Sequence, residues 1–164
     1  MFRTPLVPDD FELPTLSTDA WRLEPLNMKW LVQDYAALVV SWEHLDGLMV
    51  PPGTLGPISD LSMEMDVMEL GWHEREFVTR RSFAYVAIGH DDAEALGYAY
   101  LYASPHADED AAILTWARWD EADPEADARL YGQIRDWVAA EWPFANAVFP
   151  GRSVPWDEWL AKGT

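Results

Sequence analysis

The spacing of hydrophobic residues predicts a strand and then two helices in the first half of the chain. A short strand is predicted over residues 21–26, with Trp21 and Leu23 on one face. Apolar residues then recur every three or four positions over residues 28–42 and 61–72, which is the period of a helix. The predicted buried stripes are Met28, Leu31, Tyr35, Leu38 and Trp42 in the first helix and Leu61, Met65, Met68 and Trp72 in the second.

The second half of the chain begins with a change to a period of two. Residues 83–88 and 96–102 both alternate, and the polar turn between them predicts an antiparallel hairpin. A third strand is predicted from Ala111 to Trp119. A third helix is predicted from Pro124 to Glu141, because Asp123 can cap it and Pro143 stops it. The last strand predicted is 145–149.

The domain organisation follows from proline content and composition. Residues 1–19 contain Pro5, Pro8 and Pro14, which predicts an extended N-terminal arm. Residues 20–164 show no linker or internal repeat, so they are predicted to form a single domain. Half of the 164 residues are hydrophobic and ten are Trp, which is enough for one core.

Charge and the absence of cysteine narrow the classes of function. The formal net charge is −18, with 29 acidic residues and only Lys29 and Lys162 as lysines, so we expect neither nucleic acid nor membrane as a partner. No apolar run approaches the ~18 residues of a membrane helix, and no apolar signal core follows residues 1–5. Without cysteine there is no disulfide and no thiolate chemistry. A cytoplasmic location is therefore expected.

Familiar catalytic and metal-binding motifs are missing. The sequence has no phosphate-binding Gly-x-x-x-x-Gly-Lys loop, no Gly-x-Gly-x-x-Gly turn and no Gly-x-Ser-x-Gly elbow. His73 and Glu74 could begin a zinc-protease motif, but Phe77 stands where the second His belongs. The four histidines are scattered, so no metal site is predicted.

The predicted element order resembles that of the GNAT N-acetyltransferase superfamily over about residues 20–150. Residues 96–98 resemble the apolar-Gly-x start of the strand after the family's hairpin, and residues 111–138 resemble its strand-loop-helix. Residues 137–144 are similar to an atypical bacterial branch of GNAT-like proteins. The resemblance implies an α+β fold with a mixed, mostly antiparallel sheet and helices on both faces, in the order β-α-α-β-β-β-α-β.

The resemblance also implies acetyl-CoA as a cofactor and indicates where it would bind. The family motif, Gln/Arg-x-x-Gly-x-Gly/Ala, lets backbone N–H groups approach a pyrophosphate at a helix N-terminus. The matching residues are 123–128, where Asp123 and Ala126 depart from the motif and Ala128 fits it. The candidate cofactor-binding residues are Trp116, Ala117, Arg118, Ala126, Ala128 and Arg129.

Further candidates come from the same resemblance. Tyr131, Val148 and Phe149 are predicted to line a ligand crevice between the third and last strands, with Trp116, Ala117 and Arg118 as its wall on the third strand. Glu43 and His44 are the candidate general bases, because they precede the loop over which the family's acceptor enters.

The sequence leaves the function open between two classes. One is an acyl-CoA-dependent N-acyltransferase that acts on an amine. The other is a non-catalytic module on the same scaffold that binds a small molecule or a partner, including a second copy of the chain through exposed Trp and Tyr residues.

Overall fold

The computed structural model of the protein describes residues 4–163 and shows a five-stranded mixed sheet with helices on both faces. The strands are β1 (Trp21–Pro25), β2 (Phe83–Gly89), β3 (Ala95–Ala103), β4 (Ala111–Ala117) and β5 (Ala147–Val148). The α-helices are α1 (Leu31–Ser41), α2 (Met63–Val78), α3 (Ala126–Glu141) and α4 (Trp156–Ala161). Residues 1–3 of the predicted arm and residue 164 of the predicted domain lie outside the described residues. The predicted α+β fold class is confirmed, with α4 as an additional short helix.

The sheet has the simplest order, β1-β2-β3-β4-β5. Neighbours from β1 to β4 are antiparallel, and the predicted hairpin is β2 and β3, which pair from Phe83 with Leu101 to Ile88 with Ala95. Strand β5 pairs parallel with β4, because α3 crosses over between them. Every residue of β2 is buried, as expected for a strand with helices on both sides.

Each face of the sheet carries its own hydrophobic core. On one face, α1 and α2 contribute Ala37 and Leu70 to a cluster with Val86, Tyr98 and Trp116. The other face packs against α3, which contributes the following buried residues: Leu130, Ile134, Trp137 and Val138. The two cores have different partners because successive residues of a strand point to opposite faces.

The predicted buried stripe is confirmed in part for the first helix, where Leu31, Leu38 and Trp42 pack against the core, and it is wrong for the second. Met28 is exposed, and the buried residues of α1 are Asp34, Ala37 and Ser41. In α2 the predicted Met65, Met68 and Trp72 are exposed, whereas the buried residues are Asp66, Leu70, His73 and Glu76. Both helices therefore turn a partly polar face towards the sheet. The apolar spacing identified both helices correctly but selected the wrong side of α2.

The third helix begins later than predicted. Its first residue is Ala126, and residues 120–125 form turns before it. Asp123 does not cap the helix, because its carboxylate pairs with the Arg129 guanidinium at 2.5 Å. Strand β4 ends at Ala117 rather than Trp119, and the Trp119 N–H donates to the Ser41 hydroxyl at 2.9 Å. Strand β5 is likewise shorter than predicted, with two residues.

The N-terminal segment and the C-terminal helix both pack on the body of the domain. Val7 is buried, and the Trp137 indole N–H donates to the Thr15 carbonyl at 3.1 Å. At the other end, the Trp156 indole N–H donates to the Gly47 carbonyl at 2.7 Å, and the Trp159 indole N–H donates to Glu109 at 3.0 Å. Within residues 4–163, no helix is both long and apolar enough to cross a membrane.

Candidate functional site

An internal ion pair lies at the start of α3, where the resemblance places the coenzyme's pyrophosphate. The Asp127 carboxylate, in the first turn of α3, accepts the Ala117 backbone N–H at 3.1 Å. The same carboxylate receives both Nη atoms of Arg152, at 2.6 and 2.9 Å. Arg152 also donates to the Thr115 carbonyl of β4 at 3.0 Å. The chain's own carboxylate thus occupies the backbone donor at the end of β4 and pairs with a cation next to the start of α3.

The same arginine occupies the space between β4 and β5. Strand β5 pairs with β4 only at Ala111 and Ala112, so the rest of that β4 edge has no neighbouring strand among residues 4–163. Arg152 covers this edge at Thr115, and its guanidinium carbon lies 5.1 Å from the centre of the Tyr131 ring. The turn after β5 directs Arg152 there.

Gly151 makes that turn feasible. Its φ of +78° lies in the left-handed region that favours glycine. A Cβ at this position would lie 2.4 Å from Trp156 Nε1 and 2.8 Å from the Gly47 carbonyl oxygen.

The structure does not bring all of the predicted crevice residues together. The rings of Tyr131 and Phe149 meet edge to face with centres 5.4 Å apart, on the α3 side of the sheet. Trp116 is fully buried on the other side, stacked on Tyr98 at 4.2 Å. The expectation that Trp116 lines this crevice is corrected by strand parity: side chains one position apart in β4 point to opposite faces. A ligand role for Tyr131, Val148 and Phe149 stays a prediction.

Four of the predicted cofactor residues do line a common cavity, which we call the α3 cavity. It has a volume of about 400 Å³ and includes Ala117, Arg118, Ala126 and Arg129 in its wall. Arg118 pairs with Glu94 at 3.5 Å, and Arg129 pairs with Asp123. Asp19 and Asp120 also line it, so carboxylates outnumber guanidinium groups. Ala128, the one residue that fits the family motif, is exposed outside this wall.

The two predicted bases lie on the surface, in a 3₁₀ turn after α1. Glu43 and His44 are both exposed. The His44 ring stacks on Trp119 with ring centres 3.7 Å apart and an interplanar angle of 11°. Glu43 borders a separate cavity of about 470 Å³ beneath the loop of residues 53–58. Their catalytic role stays a prediction.

A second cavity, which we call the α1–α2 cavity, lies between α1, α2 and the sheet. Its volume is about 390 Å³. Its ionisable residues are Asp34, Asp60, Asp66, Glu69, His73, Tyr100 and Tyr102, and its apolar residues are Leu26, Leu38, Trp42, Met49, Leu61, Met65 and Leu114. Asp34 and Asp66 are each only 3% exposed. This cavity is of ordinary size for a small-molecule site.

Burial and mutual repulsion change the protonation of this cavity's wall. Burial, together with the neighbouring Asp66 carboxyl, raises the pKa of Asp34 to about 8. Burial likewise raises the pKa of Asp66. Burial lowers the pKa of His73 to about 4, so the imidazole is neutral near pH 7. The two carboxyl groups therefore hold a shared proton near neutral pH, since two adjacent buried carboxylates repel each other.

Two buried polar atoms in this wall lack partners. Asp66 Oδ2 and His73 Nδ1 have no hydrogen-bond partner among the residues that the structure describes. Most buried polar atoms in folded proteins are paired, so such atoms indicate a place where a ligand or water completes the bonding. The described part of the chain contains no cluster of three or more acidic or histidine residues placed to hold a metal ion.

Sequence reasoning missed this cavity, although one signal was present. Asp66, Leu70 and His73 are spaced at i, i+4 and i+7, so they share one helix face. The stripe of Met65, Met68 and Trp72 is more hydrophobic, so the sequence analysis predicted that this other face of the helix is buried.

Known structures identify the fold. The sequence matches no protein-family model and no curated protein. The structure superposes on the ribosomal-protein-S5-alanine acetyltransferase from Vibrio fischeri with a TM-score of 0.58 and 10% identity, over 76% of this chain and 67% of that one. The microcin C7 self-immunity acetyltransferase MccE, solved with acetyl-CoA and AMP, superposes with a TM-score of 0.56 and 13% sequence identity. The match covers 80% of this chain and 69% of MccE. Apo FdhC, a nucleotide-linked sugar GNAT, superposes with a TM-score of 0.56 and 10% sequence identity, over 82% of this chain and 71% of FdhC. The chain has the GNAT acetyltransferase fold, as the element order predicted.

Proposed function

We propose that this chain is a non-catalytic small-molecule-binding protein on the GNAT scaffold and does not depend on acyl-CoA. The observation that carries this proposal is the Asp127–Arg152 pair, which takes the Ala117 N–H and covers the open edge of β4. The residues present at the start of α3 do not fit a coenzyme pyrophosphate, because the segment is rich in carboxylates and Asp127 in the first turn has already paired with Arg152.

Charge around the site supports the same conclusion. Three further acids, Asp120, Glu121 and Glu125, stand in the exposed segment before α3. Each repulsion between such an acid and a phosphate amounts to ~1 kcal/mol at contact distance, even with the dielectric constant of water. The nearby cations, Arg118 and Arg129, already have carboxylate partners. A diphosphate would have to break those pairs before it gained any attraction.

The second candidate function is an acyl-CoA-dependent N-acyltransferase acting on an amine. It is favoured by the shared fold with MccE, whose structure contains acetyl-CoA, and by the α3 cavity, where Ala117, Arg118, Ala126 and Arg129 meet. Under this candidate Glu43 and His44 remain the residues to test as general bases.

Calorimetric titration with acetyl-CoA separates the two candidates. We expect a dissociation constant no better than high micromolar, because the pyrophosphate would face carboxylates. A sub-micromolar constant would overturn the proposal in favour of the acyltransferase. A parallel assay of thiol release in the presence of mixed amines should show no turnover above the protein-free rate.

A double variant sharpens that test. Replacing Asp123 with Gln and Ala126 with Gly restores two positions of the family motif, so it should tighten acetyl-CoA binding. Asp136→Asn, which removes an exposed charge further along α3, is the matched control and should leave the binding unchanged. Equal effects of the two variants would show that only net charge matters.

The proposal also includes the protein's location, its type of ligand and its oligomeric state. They are a cytoplasmic location, a small-molecule ligand rather than nucleic acid or membrane, and a homodimer. The net charge of −18 supports the choice of ligand. Met68 and Trp72 of α2 are exposed and do not line the α1–α2 cavity, which supports self-association. Light scattering on the purified chain tests the dimer directly, and a monomer at micromolar concentration would exclude it.

A further inference from the structure

We propose that the α1–α2 cavity binds a small organic cation whose N–H donors project from a flat apolar body, of the amidinium or guanidinium class. This inference rests on the proposed function, because it names the ligand class that the non-catalytic protein would bind. Three properties of the cavity carry it: unpaired buried acceptors, the sign of its charge and its aromatic walls.

The unpaired buried atoms include a carboxyl oxygen of Asp66, which points to a ligand with N–H donors. Asp66 is 3% exposed and His73 is 8% exposed, yet Asp66 Oδ2 and His73 Nδ1 have no partner among the described residues. Asp34 lies beside Asp66, so its carboxyl adds further acceptor oxygens at the same place. A planar N–H fork matches closely spaced carboxylate oxygens better than a single donor does.

The charge of the wall selects a cation. The ionisable groups that line this space are Asp34 from α1; Asp66, Glu69 and His73 from α2; Asp60 from the turn before α2; and Tyr100 and Tyr102 from β3. Tyr98 of β3 is fully buried behind them and interacts with Asp34. Within the described residues, neither lysine nor arginine lines the cavity. An anion would be repelled by four acidic side chains with no basic side chain to attract it, and a neutral ligand would leave their charge uncompensated.

The aromatic walls select a flat body. Tyr100 and Tyr102 present nearly parallel rings 6.2 Å apart, inclined by 3°. The Trp42 ring is held in place because its indole N–H donates to the Gly56 carbonyl at 3.0 Å. Faces of tyrosine and tryptophan attract cations and stack on planar groups, and the apolar leucines around them accept a hydrocarbon body.

Binding should release a proton. The free pair of Asp34 and Asp66 holds a shared proton near neutral pH, and a bound cation would favour the doubly ionised form. The cation enters with its charge, one carboxyl ionises, and the proton leaves to the solvent, so charge is conserved. Binding should therefore tighten by up to tenfold for each pH unit from 6.5 to 8.

Benzamidine is the first probe, and benzamide is its neutral isostere. Calorimetry at pH 7.5 should give a dissociation constant for benzamidine below about 1 mM, and at least about tenfold weaker binding of benzamide. Titrations in two buffers with different ionisation enthalpies should show the proton release. Equal affinities for the two compounds would overturn the inference, as would benzamidine binding without proton uptake by the buffer.

Variants place the probe in the cavity. Asp66→Asn keeps the size of the side chain but removes its charge, so benzamidine affinity should fall at least about tenfold. Glu74→Gln, on the exposed side of the same helix, should leave the affinity unchanged. Circular dichroism of both variants shows whether the fold is retained. If Asp66→Asn does not fold, Tyr102→Leu serves in its place, because it removes a partly exposed wall ring and should also weaken binding.

Failure of this inference is distinguishable from failure of the proposed function. No binding of benzamidine or phenylguanidine at millimolar concentration, with acetyl-CoA still weak, would make the cation assignment wrong and leave the proposed function standing. Sub-micromolar acetyl-CoA affinity with benzamidine binding intact would overturn the proposed function and keep cation recognition at the α1–α2 cavity.

Discussion

The α3 cavity and the α1–α2 cavity have similar volumes, but their charged side chains differ in whether they have partners of opposite charge. In the α3 cavity, Arg118 and Arg129 each have a carboxylate partner, and the Arg152–Asp127 pair closes the neighbouring β4 edge. In the α1–α2 cavity, Asp34 and Asp66 are more deeply buried and adjoin each other without a cationic partner among the residues that line the cavity. The first arrangement stabilises the fold. The second lowers stability when both carboxyl groups are ionised, and this is the property on which the proposed cation site rests.

The largest expected effect comes from breaking the pair at α3. Arg152→Ala removes three hydrogen bonds and leaves the Asp127 carboxylate without its cation, so the free energy of unfolding should fall by about 3 kcal/mol. Urea denaturation measures it. The matched control is Arg135→Ala, which breaks an exposed pair with Asp136 and should cost under about 0.5 kcal/mol. A loss no larger than the control's would remove the structural role of this pair.

The next effect is a pH dependence that belongs to the α1–α2 cavity. The raised pKa of Asp34 means that the folded state holds a proton that the unfolded chain has already released, so stability falls as pH rises towards about 8. The lowered pKa of His73 has the opposite effect below about 6.5, where the unfolded imidazole takes up a proton. The window from pH 6.5 to 8 therefore isolates the carboxyl pair, and the free energy of unfolding should fall by about 1.5 kcal/mol across it.

Urea titrations at pH 6.5 and 8 test this prediction. A saturating organic cation should reduce the difference, because it stabilises the ionised pair. Constant or rising stability across the window would contradict the shared proton.

A smaller effect should come from Asp34→Asn. The amide cannot ionise, so at pH 8 it should be more stable than the parent by about 1 kcal/mol, and its stability should change little from pH 6.5 to 8. The same type of change at exposed Asp136 should alter neither quantity beyond about 0.5 kcal/mol. Destabilisation by Asp34→Asn at pH 8 would show that the carboxylate is needed by the fold itself.

The smallest effect should be found at the exposed pair of the α3 cavity. Both Arg129 and Asp123 remain largely in solvent, so Arg129→Ala should reduce stability by about 0.5 kcal/mol or less. Thermal or urea unfolding at low and moderate salt measures it. If Arg129→Ala lowered the free energy of unfolding by nearly as much as Arg152→Ala, the difference in burial would not explain the difference in strength between the two ion pairs.

The sequence predicted the hairpin and the element order because these depend on neighbours in the chain. Alternation over residues 83–88 and 96–102, with a polar turn between, leaves few options other than β2 and β3. The buried faces of α1 and α2 could not be predicted in this way. Both helices carry apolar residues on more than one side, and the inner side of α2 bears Asp66 and His73.

The candidate site was predictable only in part. Ala117, Arg118, Ala126 and Arg129 come together because they flank one strand-to-helix connection. Trp116 does not join these residues, because its position in β4 directs its side chain to the opposite face of the sheet. Arg152, the residue that closes the β4 edge, carried no signal in the sequence.

Local pattern by itself determined which segments are strands and helices and that they follow the GNAT order, because backbone periodicity is set by adjacent residues. The tertiary structure alone decided which charges meet. Arg152 is 25 positions from Asp127, and Asp34 and Asp66 lie on different helices. Such contacts depend on how the helices are turned and packed against the sheet, since electrostatic interactions act through space rather than along the chain.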